Sequence, residues 1–129
     1  MERKHISSGS PLEESIGFSR AVRIGHIISV SGTAPIGPDG STAFPGNVYE
    51  QTKYCIEIIQ KAIENAGGRL EDTVRTRVML KDISTWAEAA KAHGECFSHI
   101  KPACTFVEVK GFVNNDWLVE IEADCVVEQ

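Results

Sequence analysis

The sequence predicts an α+β domain of two layers: a mixed β-sheet with two helices on one face, in the order β-β-α-β-α-β-β, spanning residues 1–129 as one domain. Three observations carry this. Residues 117–127 alternate apolar and acidic side chains almost strictly, the period of a strand with one buried face. Residues 47–67 and 84–100 each gather apolar side chains on one helical face. Shorter strand-like runs flank them, and two amphipathic helices can cover only one face of the sheet those runs would form.

In chain order, residues 1–16 are polar, with one proline, and are expected to lie over the surface. Residues 18–23 and 27–31 read as strands joined around Gly25 and His26, with Gly25 permitting the positive φ of a tight hairpin and His26 a turn residue. Residues 32–46 contain Pro35, Pro38 and Pro45, and Pro38-Asp39-Gly40 is strong turn chemistry. A connection this long is often functional or docked on a partner. It is not a phosphate loop, because no Gly-Lys-Ser/Thr follows.

Asn47 caps the first helix, with Glu50 three residues on as in a capping box. Cys55, Ile56, Ile59, Ala62, Ile63 and Ala66 form its apolar face, and Gly67-Gly68 ends it. Residues 73–81 form a strand with Val74, Thr76, Val78 and Leu80 on one face and Arg75, Arg77, Met79 and Lys81 on the other. Ser84 or Thr85 caps the second helix, which runs from Trp86 to about Ser98. Its inner stripe is Trp86, Ala89, Ala90, His93, Cys96, Phe97 and Ile100, with His93 read as a core histidine; Pro102 prevents continuation. Residues 104–109 are the next strand, and 111–116 lead to the last.

On that last strand Val119, Ile121, Ala123, Cys125 and Val127 share one face, and Glu120, Glu122 and Asp124 the other. Like charges about 7 Å apart repel unless water or cations screen them. The face is therefore either a solvated surface or the lining of a polar cleft or interface. The row of Arg75, Arg77 and Lys81 is complementary, and pairing of the two strands would neutralise it. With Phe106 and Met79 expected there too, the uncovered face reads as a surface buried in a homo-oligomer.

The formal charge of −5 argues against a duplex-binding surface, so no nucleic acid is expected as partner. The polar N-terminus and the absence of a long apolar run predict neither a signal peptide nor membrane association, with a cytoplasmic location as the default. Cys55, Cys96, Cys104 and Cys125 form no close pair, and His5, His26, His93 and His99 show no ligand spacing; no metal is assigned.

Several stretches, in order, resemble the RidA/YjgF (Rid) family. They are Gly17-Phe18-Ser19-Arg20-Ala21-Val22, Val30-Ser31-Gly32-Thr33-Ala34-Pro35, the helix at 51–67 followed by Leu70-Glu71-Asp72-Thr73-Val74, Lys81-Asp82-Ile83, and residues 102–109 and 119–123. The resemblance implies a chorismate-mutase-like fold, a homotrimer with small-molecule clefts between subunits, and cofactor-free hydrolysis of reactive enamines and imines. Under it Glu120 falls on the glutamate that orients or activates water, and Ser31 on a cleft serine. The substrate-clamping arginine position is Cys104, followed by Thr105; the family's tyrosine is Phe18, a cleft asparagine is Ala90, and a common cysteine is Phe106.

A thiol offers neither charge nor the two-pronged geometry of a guanidinium. Losing such a contact is worth roughly 1.5–3 kcal/mol, so 2-iminopropanoate is expected to be a poor substrate. Arg77 could substitute as the cation, or could instead pair with Glu120 or Glu122. Cys104 is either a nucleophile, for which a base must be supplied from outside its own sequence neighbourhood, or a small filler. Two functions follow: an imine or carbonyl hydrolase with Glu120 as general base, with Ser31 and backbone N–H groups at Cys104-Thr105 positioning the substrate, or a trimer that binds a metabolite without catalysis.

Overall fold

The computed structural model describes residues 1–128. Its sheet has six strands: β1 (Arg3–Ile6), β2 (Ala21–Ile24), β3 (Ile27–Thr33), β4 (Thr73–Leu80), β5 (Ala103–Glu108) and β6 (Val119–Val126), in the order β1-β2-β3-β6-β4-β5. All neighbours are antiparallel except β4 and β5, which run parallel around helix α3 (Trp86–Phe97). The long helix α2 (Val48–Asn65) packs on β3 and β6, and α3 packs on α2. This is the expected α+β, two-layer, mixed-sheet fold.

The alternation of β6 holds residue by residue. Val119, Ile121, Ala123 and Cys125 are at most 1% exposed and meet Ile28, Val30, Ile56, Ile59 and Ile63 in the core. Burying each such aliphatic side chain contributes about 1.5–3 kcal/mol before chain entropy is charged. Helix α2 starts as expected: Asn47 Oδ1 accepts from the N–H of Glu50 at 3.0 Å. It ends with Gly67 at φ 89°, whose neighbour Gly68 donates to the Ile63 carbonyl. The hairpin between β2 and β3 turns through Gly25 at φ 59°.

Several expectations need correction. Residues 1–16 are not simply draped over the surface. They add the edge strand β1 and a short helix α1 (Pro11–Ile16), capped by Ser10 and stopped by Gly17 at φ 90°. The order is therefore β-α-β-β-α-β-α-β-β. β4 shifts register against β6 between Thr73 and Arg75, so Val74 turns out to solvent, 48% exposed, while Thr73 and Thr76 are buried. On α3, Trp86 is exposed, and Ala92, absent from the expected stripe, is buried. Thr85 makes no side-chain cap; Asp82 instead caps the preceding turn through the Ser84 N–H.

Phe106 does not lie on the helix-free face. Its register partner on β4 is Val78, a core residue, and Phe106 packs against that core. Side chains of cross-strand partners point the same way, so Cys104 and Phe106 face the helices, while Thr105 and Val107 share the free face with Arg77 and Met79.

Candidate functional site

The free face is built in rows across β5, β4 and β6. One row is Thr105, Arg77 and Glu122; the next is Val107, Met79 and Glu120; Asp124 lies opposite Arg75 and Ser29. Arg77 forms an ion pair with Glu122, each side chain about two-fifths exposed. Asp124 accepts from the Ser29 hydroxyl at 2.9 Å. The complementarity expected from the two charge rows is met at one pair, Arg77 with Glu122 rather than Glu120, while Asp124 is bonded by Ser29 and Lys81 donates to the Asn115 carbonyl.

Glu120 differs from its neighbours. It is half-buried and accepts no side-chain hydrogen bond among the described residues. Two features of β3 make its place. The strand breaks register with β6 between Val30 and Thr33, which re-aims Ser31 and Gly32. A Cβ on Gly32 would sit 3.3 Å from the Glu120 carboxyl carbon and Oε1, tighter than ordinary contact, so the missing side chain is the space the carboxylate occupies. Burial pushes the Glu120 carboxyl above its ordinary value; the nearby Arg20 guanidinium pulls it back and Glu122 adds to the rise.

Arg20 is the cation of this site that the sequence did not disclose. It is half-buried, donates to the Gly32 carbonyl, and leaves Nε without a partner among the described residues. Its signal in the sequence was only its place in the Phe18-Ser19-Arg20-Ala21 stretch; nothing there links it to Glu120, one hundred residues on.

Ser31 lies in the same bulge, with its hydroxyl donated to the Ser19 carbonyl at 2.6 Å and its N–H to the Arg20 carbonyl. Phe18, just beyond α1, exposes its ring, 37% accessible. Thr105 is exposed on the free face. Cys104 and Ala90 lie on the other side of the sheet: Cys104 is exposed with Sγ 3.8 Å from His93 Nε2, and Ala90 is half-buried one turn before His93 on α3. Within one chain Cys104 and Ala90 are therefore separated by the sheet from Glu120, Arg77 and Thr105. Two shallow surface hollows, one at Met1, Arg23 and Gly67 and one at Ile6, Arg20 and Lys61, are not lined by Glu120. Gln51, also unassigned from sequence, holds the long loop against the last one, donating to the Ala43 and Asp116 carbonyls and accepting from the Leu118 N–H.

The family model described as Endoribonuclease L-PSP matches residues 10–127. The chain belongs to this family, the RidA/YjgF/L-PSP proteins. Among relatives of the Rid family, a RutC family protein of Pyrococcus abyssi is 39% identical over 106 residues, covering 82% of this chain and 83% of that protein. The structure of Rv2704 from Mycobacterium tuberculosis, a member of the YjgF/YER057c/UK114 family, is 40% identical, with a TM-score of 0.88, covering 98% of this chain and all of that one. The structure of TdcF from E. coli with bound serine shares the fold at 22% identity and a TM-score of 0.80, covering 96% of this chain and 94% of that one. This Rid chain thus has the family's chorismate-mutase-like fold. No helix among the described residues is long and apolar enough to cross a membrane, and no group of three or more His, Cys, Asp or Glu is placed to hold a metal ion.

Proposed function

We propose that this Rid protein assembles as a homotrimer through its helix-free sheet face and holds a small polar metabolite in the clefts between subunits. There Glu120 acts as general base on water adding to a C=N or C=O carbon, with no cofactor. The observation that carries this reading is the Glu120 carboxylate. It is half-buried, unpaired by hydrogen bonds among the described residues, seated in the space of Gly32, and raised in pKa by burial. A carboxylate raised above its ordinary value is a stronger base than a free one, the direction a general base needs. The unshielded row of Met79, Val107 and Glu120 is a surface that a second copy would cover.

In this reading Ser31 and Thr105 supply polar atoms, Phe18 a wall, and Arg77 or Arg20 the positive potential, while Ala90 and Cys104 belong to the edge of a neighbouring subunit. The serine bound by TdcF supports a small amino-acid-like ligand. With Cys104 at the position where the resemblance puts a carboxylate clamp, the chain falls in a subgroup expected to turn over 2-iminopropanoate slowly. The net charge of −5 is unfavourable for nucleic acid as substrate.

A second reading, a trimer that binds without catalysis, is favoured by the apolar or uncharged side chains of Phe18, Ala90 and Cys104. Comparison of wild type with Glu120→Gln separates the two. Loss of ammonia release from imines formed in situ by about 10²–10⁴-fold, with ligand retained in calorimetry, is the expected outcome. Altered affinity with no turnover in either protein supports the binder. A monomer in light scattering at micromolar concentration removes both.

A further inference from the structure

The helix-side face of the sheet carries a cluster to which the Glu120 reading gives no chemical role. Cys104 is exposed on the edge strand β5, with Sγ 3.8 Å from Nε2 of His93. Thr76 is the register partner of Cys104 on β4, and its Oγ1 lies 2.8 Å from the same nitrogen. The imidazole is 8% exposed and fixed by aromatic contacts, with Phe97 at 4.6 Å and Phe106 edge-on at 6.0 Å between centroids. The thiol is thus open to solvent, with a buried imidazole nitrogen behind it and a hydroxyl on that same nitrogen.

Burial pushes His93 below its ordinary value, which keeps the ring neutral at neutral pH with a lone pair available on one nitrogen. Nε2 has one lone pair, so the Thr76 hydroxyl must turn its own proton away before the thiol proton arrives, after which its oxygen can accept from Nε2–H. The side chains that fix His93, namely Thr76, Phe97 and Phe106, are uncharged.

We propose that Cys104 and His93 form a thiol–imidazole nucleophile, steadied by Thr76 and directed at small neutral electrophilic carbons such as those of aldehydes. The Sγ–H proton passes to Nε2 as the Sγ–C bond forms and the C=O π bond opens. The resulting oxygen takes that proton back from Nε2, leaving a thiohemiacetal; no oxidant and no leaving group are required. The sequence showed no base near Cys104 because His93 is a helix residue that only packing brings to it. The atoms of the Cys104–His93–Thr76 cluster all come from one chain, and the thiol chemistry does not call on the Glu120 carboxylate.

Iodoacetamide is a suitable neutral probe: Sγ–C forms, C–I breaks with iodide leaving, and the proton goes to His93. Labelling of Cys104 in the folded full chain, followed by peptide mass spectrometry at neutral pH with Cys96 as internal reference, is expected to be about tenfold faster than in the urea-unfolded chain. His93→Gln is expected to bring it down to the unfolded-chain rate, and excess propanal to slow it reversibly in wild type. If His93→Gln fails to fold, as judged by circular dichroism, the folded-to-unfolded ratio of the wild type decides. A wild-type ratio near one, labelling unchanged in a folded His93→Gln, or no protection by propanal overturns the proposal.

Discussion

The two faces of β6 share one backbone and opposite fates. On the helix side Val119, Ile121, Ala123 and Cys125 are sealed by α2 and the strands around them. On the free side Glu120, Glu122 and Asp124 are half-buried, two of them satisfied by Arg77 and Ser29 and one left without a side-chain hydrogen-bond partner among the described residues. The apolar face gains its stability within one chain. The acidic face is neutralised only in part, and the group left over, Glu120, is the one whose surroundings, Gly32 and Arg20, are specialised around it.

Three perturbations sharpen that contrast. The largest effect is expected on the sealed face: Ile121→Ala should cost about 2–5 kcal/mol in denaturant unfolding, and a cost below 1 kcal/mol would mean the core on that side can collapse or is not sealed. Next comes pH. The folded chain holds the Glu120 proton to higher pH than the ordinary 4.5, so this group's contribution to stability is present at low pH and is lost as pH rises through its folded value. The unfolding free energy of wild type relative to Glu120→Gln should therefore fall from acid to neutral pH; a flat difference would show that Arg20 cancels the burial. The smallest effect is expected at the satisfied pair: Arg77→Ala should cost about 0.2–1 kcal/mol and less at high salt, as half-exposed ion pairs do. A larger, salt-insensitive loss would place that pair inside a subunit interface.

What could be read in advance was whatever repeats locally. The alternation of β6, the apolar face of α2, and its Asn47 start and glycine stop are each set by residues within a few positions of one another. β1 escaped because an edge strand is held by backbone pairing with β2 and only Ile6 of its side chains is buried. Phe106 was assigned to the wrong face because the parity of a parallel edge strand depends on its register with β4, and Val74 because one bulge changes which side a residue faces. At the site, Glu120 and Ser31 could be named from the sequence, but neither the room left by Gly32 nor the charge of Arg20 could be assigned to them.

The sequence by itself determined the layers of this Rid fold and the two chemical faces of its last strand, because periodicity is a short-range property of the chain. Tertiary structure alone decided that Arg20 comes within electrostatic reach of Glu120 and that His93 stands behind Cys104. Those neighbours come from different elements, and their distances follow from sheet register and helix packing, which no local pattern encodes.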